Sequence, residues 1–357
     1  VPDVSADRLS RTVPLAAHTT LRLGGPARRL ITAISADEIA ESVRDAAASG
    51  EPTLILGGGS NVVIADHGFP GTVILIRSRG VRVIAQEGDT VTVRVAAGEP
   101  WDEVVAAAID AGWSGLECLS GIPGATGGTP IQNVGAYGQE VTETLTAVHV
   151  LDRVTDQLRT MTPAECRFGY RTSVFKRSDR WVVRSVDFRL RRSQVSAPVR
   201  YAELAGALDV PLGGQAPLPA VREAVLGLRA GKGMVLDPAD PDTYSAGSFF
   251  LNPVLNADAA RAVRERAAGL GEPRAWPGGD GLVKLSAAWL IDQAGFGKGY
   301  GRQGVAISSK HTLALTNRGT GSTAALLALA GEIRDGVRDR FGVTLHPEPS
   351  LVNCALP

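Results

Sequence analysis

Two periods of apolar residues run along the chain, one of a strand and one of a helix. Val91, Val93 and Val95 alternate with Thr90, Thr92 and Arg94, and Val186, Phe188 and Leu190 alternate with Asp187, Arg189 and Arg191. Successive strand side chains point to opposite faces, so each segment predicts a half-buried strand. Apolar runs predict further strands at Thr53–Leu56, Thr72–Ile76, Val81–Ala85, Ala147–Leu151, Val154–Leu158, Gly304–Ser308 and Leu313–Thr316. The helical period appears at Ile39, Val43 and Ala46, after Ser35 and Glu38, which read as a capping box, and Gly50 ends it. Pro100 opens a second helix, Trp101–Ala111, and Thr162 with Glu165 caps a short third one. Val221, Ala224, Val225 and Leu228 make one later helical face; Leu326, Leu329, Ala330, Ile333 and Val337 make another. Between 192 and 218 the periods fade into a Pro/Gly/Ala-rich connection, the expected domain boundary.

Glycine interrupts this pattern most densely from Gly115 to Gly138. Each glycine weakens a regular element, yet Ile122, Ile131 and Val134 are apolar and two prolines stiffen the backbone. A folded loop whose bare N–H groups face an anion accounts for the mixture; a Gly/Pro-punctuated turn cluster is the alternative. A second glycine loop, Gly57-Gly58-Gly59-Ser60-Asn61, follows the strand Thr53–Leu56. Its spacing is not that of the dinucleotide fingerprint, and Val62-Val63-Ile64 continues extended instead of opening a helix. Gly231-Lys232-Gly233 and Gly297-Lys298-Gly299 likewise fail the phosphate-loop pattern. Two such loops remain able to cradle one pyrophosphate-containing cofactor.

Bulk composition narrows the class. The chain has 357 residues, 44% hydrophobic and 21% charged, long enough for two or three domains, with a formal net charge of +0. It thus lacks the basic footprint of nucleic-acid binding. Cys118, Cys166 and Cys354 are widely spaced and read as free thiols of a reducing compartment. Val1–Thr12 carries no apolar core of a signal peptide, and no apolar run approaches a membrane span of about 20 residues, so a cytoplasmic protein is expected. The five histidines never pair at metal-ligand spacing, so no metal site is expected, and no G-x-S-x-G elbow appears. Lysine stands only at 176, 232, 284, 298 and 310 in an arginine-rich chain. Three clusters are richer in chemistry than a core requires: Arg167–Arg171, Ala246–Pro253 and His346–Ser350. Taken singly, each also reads as a surface turn, a capped apolar loop or a Pro-rich turn.

Taken in order, these segments resemble the UDP-N-acetylenolpyruvoylglucosamine reductase (MurB) family. The matching pieces are Leu56-Gly57-Gly58-Gly59-Ser60-Asn61, the Ile122–Gly138 loop, Cys166–Arg171, Gly247-Ser248-Phe249-Phe250, Trp289–Gly295 and His346–Pro349. The resemblance implies an α+β fold: an FAD-binding domain of the vanillyl-alcohol oxidase (PCMH) type, followed by a smaller α+β substrate-binding domain. The expected division is 1–191 for the FAD domain, 192–217 for a connection with a tyrosine loop, 218–345 for the substrate domain, and 346–357 for a terminal segment reaching the active site. FAD, bound non-covalently, would be held by Leu56, Gly57, Gly58, Gly59, Ser60, Asn61, Ile122, Pro123, Gly124, Thr129, Ile131, Gly135 and Tyr137. NADPH would be the reductant and UDP-N-acetylglucosamine enolpyruvate the substrate of a monomeric enzyme. Ser248 would donate a proton, while Arg171 and Glu348 would polarise the enolpyruvyl carboxylate. Glu348 can do so only if protonated or hydrogen-bonded through a partner, because two bare carboxylates repel. Tyr201, Lys232, Asn252 and Gln293 match substrate-contacting positions, Tyr201 being that of the longer class within the family. Leu251 and His18 replace the usual lysine and asparagine. The rival readings are an FAD-dependent alcohol or sugar oxidase, which would more often tether its flavin through His or Cys, and a non-catalytic nucleotide-sugar sensor.

Overall fold

The alternation at Thr90–Ala96 is met in the computed structural model, which describes residues 13–357. The reading of Val1–Thr12 lies outside those residues. Val91, Val93 and Val95 are buried, and so are Val186, Phe188 and Leu190 of Trp181–Arg192, the antiparallel neighbour of Thr90–Ala96. Trp181–Arg192 is also flanked by Leu145–Asp152, and the sheet continues to Gln157–Met161 at one edge and Val81–Glu87 at the other. The face opposite the core is not simply solvated. Asp187 is buried there, gripped by Arg94 through two bonds of 2.7 and 2.8 Å and by His149 Nε2 at 2.9 Å. Burial alone would raise its pKa, but those hydrogen bonds outweigh it and bring the group down to about 2.

A smaller parallel sheet, Ala27–Ala33, Phe69–Ile76 and Thr53–Leu56 in that order, adjoins the helix Ala36–Ala48. Ser35 caps this helix by accepting from the Glu38 N–H at 3.1 Å, and the Glu38 carboxylate reaches back one residue further than a capping box, to the N–H of Ile34. The helix Trp101–Asp110 starts behind Pro100 as expected. One expectation moves: the strand read at Val154–Leu158 runs instead over Gln157–Met161. Val154 lies in the connecting turn, where the Asp152 carboxylate accepts its N–H at 3.1 Å and Asp156 takes φ +55°. The turn chemistry outweighed one exposed apolar side chain.

These elements belong to a unit made of Ala27–Gly58 and Phe69–Val235. Its last part corrects the fading pattern at 192–217, since Ala202–Leu208 is helical there. That helix and Leu218–Ala230 bury Val199, Leu204, Val221 and Val225 together with Cys118. Leu218–Ala230, expected in the substrate domain at 218–345, packs within this first unit, which runs to Val235.

The second unit joins Pro14–Pro26, Gly59–Gly68 and Leu236–Pro357. Its long helix, Thr323–Phe341, buries Leu326, Leu329, Ala330, Ile333 and Val337 against Phe249, Phe250, Leu290 and Ile307. Ser322 caps it, and Asp66 supplies two further acceptors, to Thr323 N at 2.8 Å and Ala324 N at 2.9 Å. A negative carboxylate at this end also suits the helix dipole. Ser245–Ser248, Ala314–Asn317, Val305–Ile307 and Gly301–Arg302 form an antiparallel sheet in that order. Val62–Ile64 pairs in parallel with Ser350–Val352. Among the described residues no helix is long and apolar enough to cross a membrane.

Candidate active site

In the first unit the two glycine loops meet backbone to backbone. Leu56 ends its strand buried, and a Cβ on Gly58 would overlap the Cα of Gly124. Gly57 faces the Ala125 methyl, and its carbonyl accepts from Arg77 Nη1 at 2.9 Å. Ile122, Pro123 and Gly124 are half-buried, so this bare backbone is open on one side. Main-chain bonds hold the second loop in place: Trp101 N to Gly124 O at 3.0 Å, Thr126 N to Glu99 O at 2.8 Å, and Gly127 N to Ala97 O at 2.8 Å. Asp102 accepts the Gly121 N–H at 2.5 Å and is clamped by Arg222 at 2.6 and 2.9 Å. Thr129 turns its hydroxyl inward to Thr126 O, and Ile131 O accepts from Ser173. A surface of side-chain-free backbone braced from behind fits a pyrophosphate, whose oxygens need donors at close approach.

Arg171 belongs to the same wall. Its guanidinium donates to Asn133 O at 3.3 Å and Gly135 O at 2.6 Å, and Glu140 lies 3.9 Å away. A Cβ on Gly135 would stand 3.2 Å from Arg171 Nη1, so glycine there keeps the cation close to the main chain. Tyr137, at φ +49°, meets Tyr201 edge-on with centroids 5.4 Å apart, and Lys232 Nζ lies 5.6 Å from the Tyr137 ring. Burial pushes the Tyr137 phenol up to about 12, partly offset by the field of Arg229. Tyr137, Tyr201 and Lys232, read separately from the sequence, are thus brought together.

Gly59, Ser60 and Asn61 fall in the second unit. Gly59 takes φ +64°, and a Cβ on it would overlap the carbonyl oxygen of His18. That contact uses the backbone of residue 18, so the replacement of asparagine by His18 leaves it unchanged. Asn61 O accepts from Ser350 N at 3.0 Å. Glu348 donates its N–H to Phe249 O at 2.9 Å, Leu251 donates to His346 O at 3.0 Å, and Phe250 bridges Pro347. Ser248 and Glu348, far apart in sequence, therefore sit on adjacent paired segments. Asn252 spends its amide oxygen on Ala287 N, the first residue of the helix Ala287–Gln293 that ends in Gln293. Asn252 thus fixes the element that carries the other amide.

Sequence reading passed over three residues that hold this geometry: Arg77, Asp102 and Thr20. Thr20 donates its hydroxyl to Ser245 O at 2.6 Å, beside the Ser248 strand, and its N–H to Gly59 O at 3.1 Å. None of the three lies in a local motif; each acts on a backbone segment distant along the chain. Among the described residues no group of three or more His, Cys, Asp or Glu could hold a metal ion.

Residues 27–160 match the family model described as FAD binding domain, and residues 238–352 match UDP-N-acetylenolpyruvoylglucosamine reductase, C-terminal domain. The paired glycine loops in a unit of this kind define an FAD-dependent oxidoreductase. The chain is 66% identical to the UDP-N-acetylenolpyruvoylglucosamine reductase of Salinispora arenicola, over 96% of this chain and 95% of that protein. It is 57% identical to the enzyme of that name from Thermobifida fusca, over 97% and 99%. The crystal structure of UDP-N-acetylenolpyruvylglucosamine reductase (MurB) from Thermus caldophilus superposes with a TM-score of 0.66 at 26% identity, covering 97% of this chain and 99% of that one. The chain belongs to the UDP-N-acetylenolpyruvoylglucosamine reductase family.

Proposed function

We propose that the chain reduces UDP-N-acetylglucosamine enolpyruvate to UDP-N-acetylmuramate, with NADPH as reductant, as a monomeric cytoplasmic enzyme of peptidoglycan precursor synthesis. FAD, when bound, supplies the carriage of hydride from NADPH to the substrate. The loops Leu56–Asn61 and Ile122–Tyr137 would hold it through backbone groups. Addition at the enolpyruvyl methylene carbon leaves negative charge on the neighbouring carbon and its carboxylate. Arg171 and Glu348, the latter in its protonated form or through a hydrogen-bonded partner, are assigned to stabilise that charge, an effect worth about 3–4 kcal/mol per well-placed donor. Ser248 is assigned the proton that quenches the carbanion. Tyr201, Lys232, Asn252 and Gln293 are assigned to the nucleotide sugar.

The observation that carries this reading is the pairing of Phe249–Leu251, directly after Ser248, with His346–Glu348 in a chain that also carries an FAD binding domain. The oxidase alternative draws no support from Cys118, whose thiol is raised to about 12 by burial and by Glu117 and Glu143, and so stays protonated. The test is spectroscopic. Purified protein should show an oxidised-flavin spectrum, bleach with NADPH, and recover only when UDP-N-acetylglucosamine enolpyruvate is added. A colourless protein, or NADPH oxidation indifferent to that substrate, overturns the reading.

A further inference from the structure

Four neighbouring strands of the first unit each place one side chain in a line to which the proposed reduction assigns no role. Arg94 stands on Thr90–Ala96, Asp187 on Trp181–Arg192, His149 on Leu145–Asp152 and Thr160 on Gln157–Met161, the strand at the sheet edge. Register makes Arg94 the direct partner of Asp187, and His149 that of Thr160. Exposure rises along the line: the Asp187 side chain is 6% open and that of His149 18%, while Thr160 is exposed. The hydrogen bonds fix which ring nitrogen carries the hydrogen. Despite burial, which would raise it, the bonds from Arg94 and His149 hold the Asp187 pKa at about 2, so at neutral pH its oxygens only accept. His149 Nε2, 2.9 Å from Asp187 Oδ2, is therefore the donor. In the neutral ring this leaves the lone pair on Nδ1, which accepts the Thr160 hydroxyl at 3.0 Å. Arg94 grips the carboxylate with two bonds of its own, so Asp187 is held facing the ring.

A cross-strand Thr–His bond alone contributes about 0.2–1 kcal/mol and needs no ionised carboxylate behind the ring. The order hydroxyl, imidazole, buried carboxylate is that of a nucleophile, its base and the group that orients the base. We propose that Thr160 is a site of covalent modification: an activated hydroxyl that takes an acyl group from an activated ester, with His149 as general base and Asp187 as the residue that positions it. The Thr160 oxygen bonds to the ester carbonyl carbon as its proton passes to His149 Nδ1. The bond from that carbon to the leaving oxygen then breaks, the leaving group departs with the electron pair, and the proton on Nδ1 goes to it. Because Thr160 is exposed on an edge strand, the ester reaches it from solvent. None of these groups is assigned to the flavin or the nucleotide sugar, so the inference stands apart from the enzymatic reading.

Incubation of the FAD-loaded protein with 4-nitrophenyl acetate, followed by peptide mass spectrometry, tests this. Thr160 should gain an acetyl group, held as an ester that neutral hydroxylamine removes. His149→Gln should label Thr160 about 10²-fold more slowly, the lower end of what a positioned base contributes, and Thr160→Ser should still be labelled at position 160. Asp187→Asn should match His149→Gln. Arg94 keeps the amide oxygen, the amide nitrogen then donates to Nε2, and the ring hydrogen moves to Nδ1. Nitrogen NMR of His149 should show that exchanged tautomer, a signal that loosened packing does not produce. Flavin retention reports that each variant is folded; if Asp187→Asn loses its flavin, the comparison of the wild type with His149→Gln decides. No acetyl group on Thr160, or equal labelling rates in the wild type and His149→Gln, overturns the proposal. Wild-type labelling by a folded Asp187→Asn overturns the role given to Asp187.

Discussion

Ser248 ends a strand of glycine, alanine and serine, Ser245–Ser248, that has little strand propensity of its own. Its place is fixed by neighbours instead. Ser248 pairs with Ala314, Phe249 N donates to Leu313 O at 2.7 Å, and Phe249 O accepts from Glu348. Phe249 and Phe250 are both buried, so the hydroxyl is carried on a segment anchored by two aromatic side chains. On the proposed function, Ser248→Ala removes only the proton donor. Flavin reduction by NADPH should persist, while product formation falls by about 10²–10⁴-fold, the usual contribution of a positioned acid. Stopped-flow absorbance separates the two half-reactions, and normal turnover by the alanine variant would make the assignment wrong. Arg171 takes φ +52°, outside regular structure, and its guanidinium is held by two loop carbonyls. A lysine has no planar fork to span both, so the two cations are not equivalent here.

The two glycine loops show what an element adds to its residues. Each alone reads as a turn cluster; their approach at Gly58 and Gly124 turns them into one surface. Gly58→Ala would force backbone apart on a braced wall, because Asp102, Arg222 and the Trp101 N–H hold the other side. The variant should fold, since the contact lies away from the buried core, but retain FAD at least about tenfold less tightly, the consequence of losing roughly 1.4 kcal/mol. Equilibrium dialysis of flavin against apoprotein measures it, and undiminished retention would detach Gly58 from the cofactor site. The periods of Thr90–Ala96 and of Thr323–Phe341 were legible because their partners' chemistry is uniform, an apolar face against an apolar core. The caps at Ser35 and Thr162 were legible because both partners are local. What could not be read were contacts between distant segments: Asp66 on the helix Thr323–Phe341, Asp187 under Arg94 and His149, and Tyr137 with Lys232. Resemblance named most of the candidate residues, but not Arg77, Asp102 or Thr20, which support them.

At the scale of the whole molecule, the order of the chain and the order of assembly differ. Two short early segments, Pro14–Pro26 and Gly59–Gly68, belong with Leu236–Pro357, while everything from Phe69 to Val235 builds the other unit. The early segments are structural parts of the second unit. Leu21, Leu23 and Val63 are buried in its core, Val62–Ile64 supplies the partner of Ser350–Val352, and Asp66 caps its longest helix. The fragment Leu236–Pro357 should therefore fail to fold cooperatively by itself, although it contains Ser248, Glu348, Asn252 and Gln293. Each missing buried aliphatic side chain is worth about 1.5–3 kcal/mol and the missing cap about 1 kcal/mol, a large share of the roughly 5–15 kcal/mol that hold a domain together. The strand Ser350–Val352 would also expose backbone groups that now pair with Val62–Ile64. Thermal unfolding followed by circular dichroism should show a broad, sloping change for the fragment and a sharp transition for the full chain. A fragment that melts as sharply as the full chain would mean that the early segments decorate the second unit without stabilising it. Failure to fold would mean that the segment carrying Ser248 and Glu348 waits on residues made long before it, and that changes at Val63 or Asp66 reach the candidate catalytic residues through folding and not through chemistry.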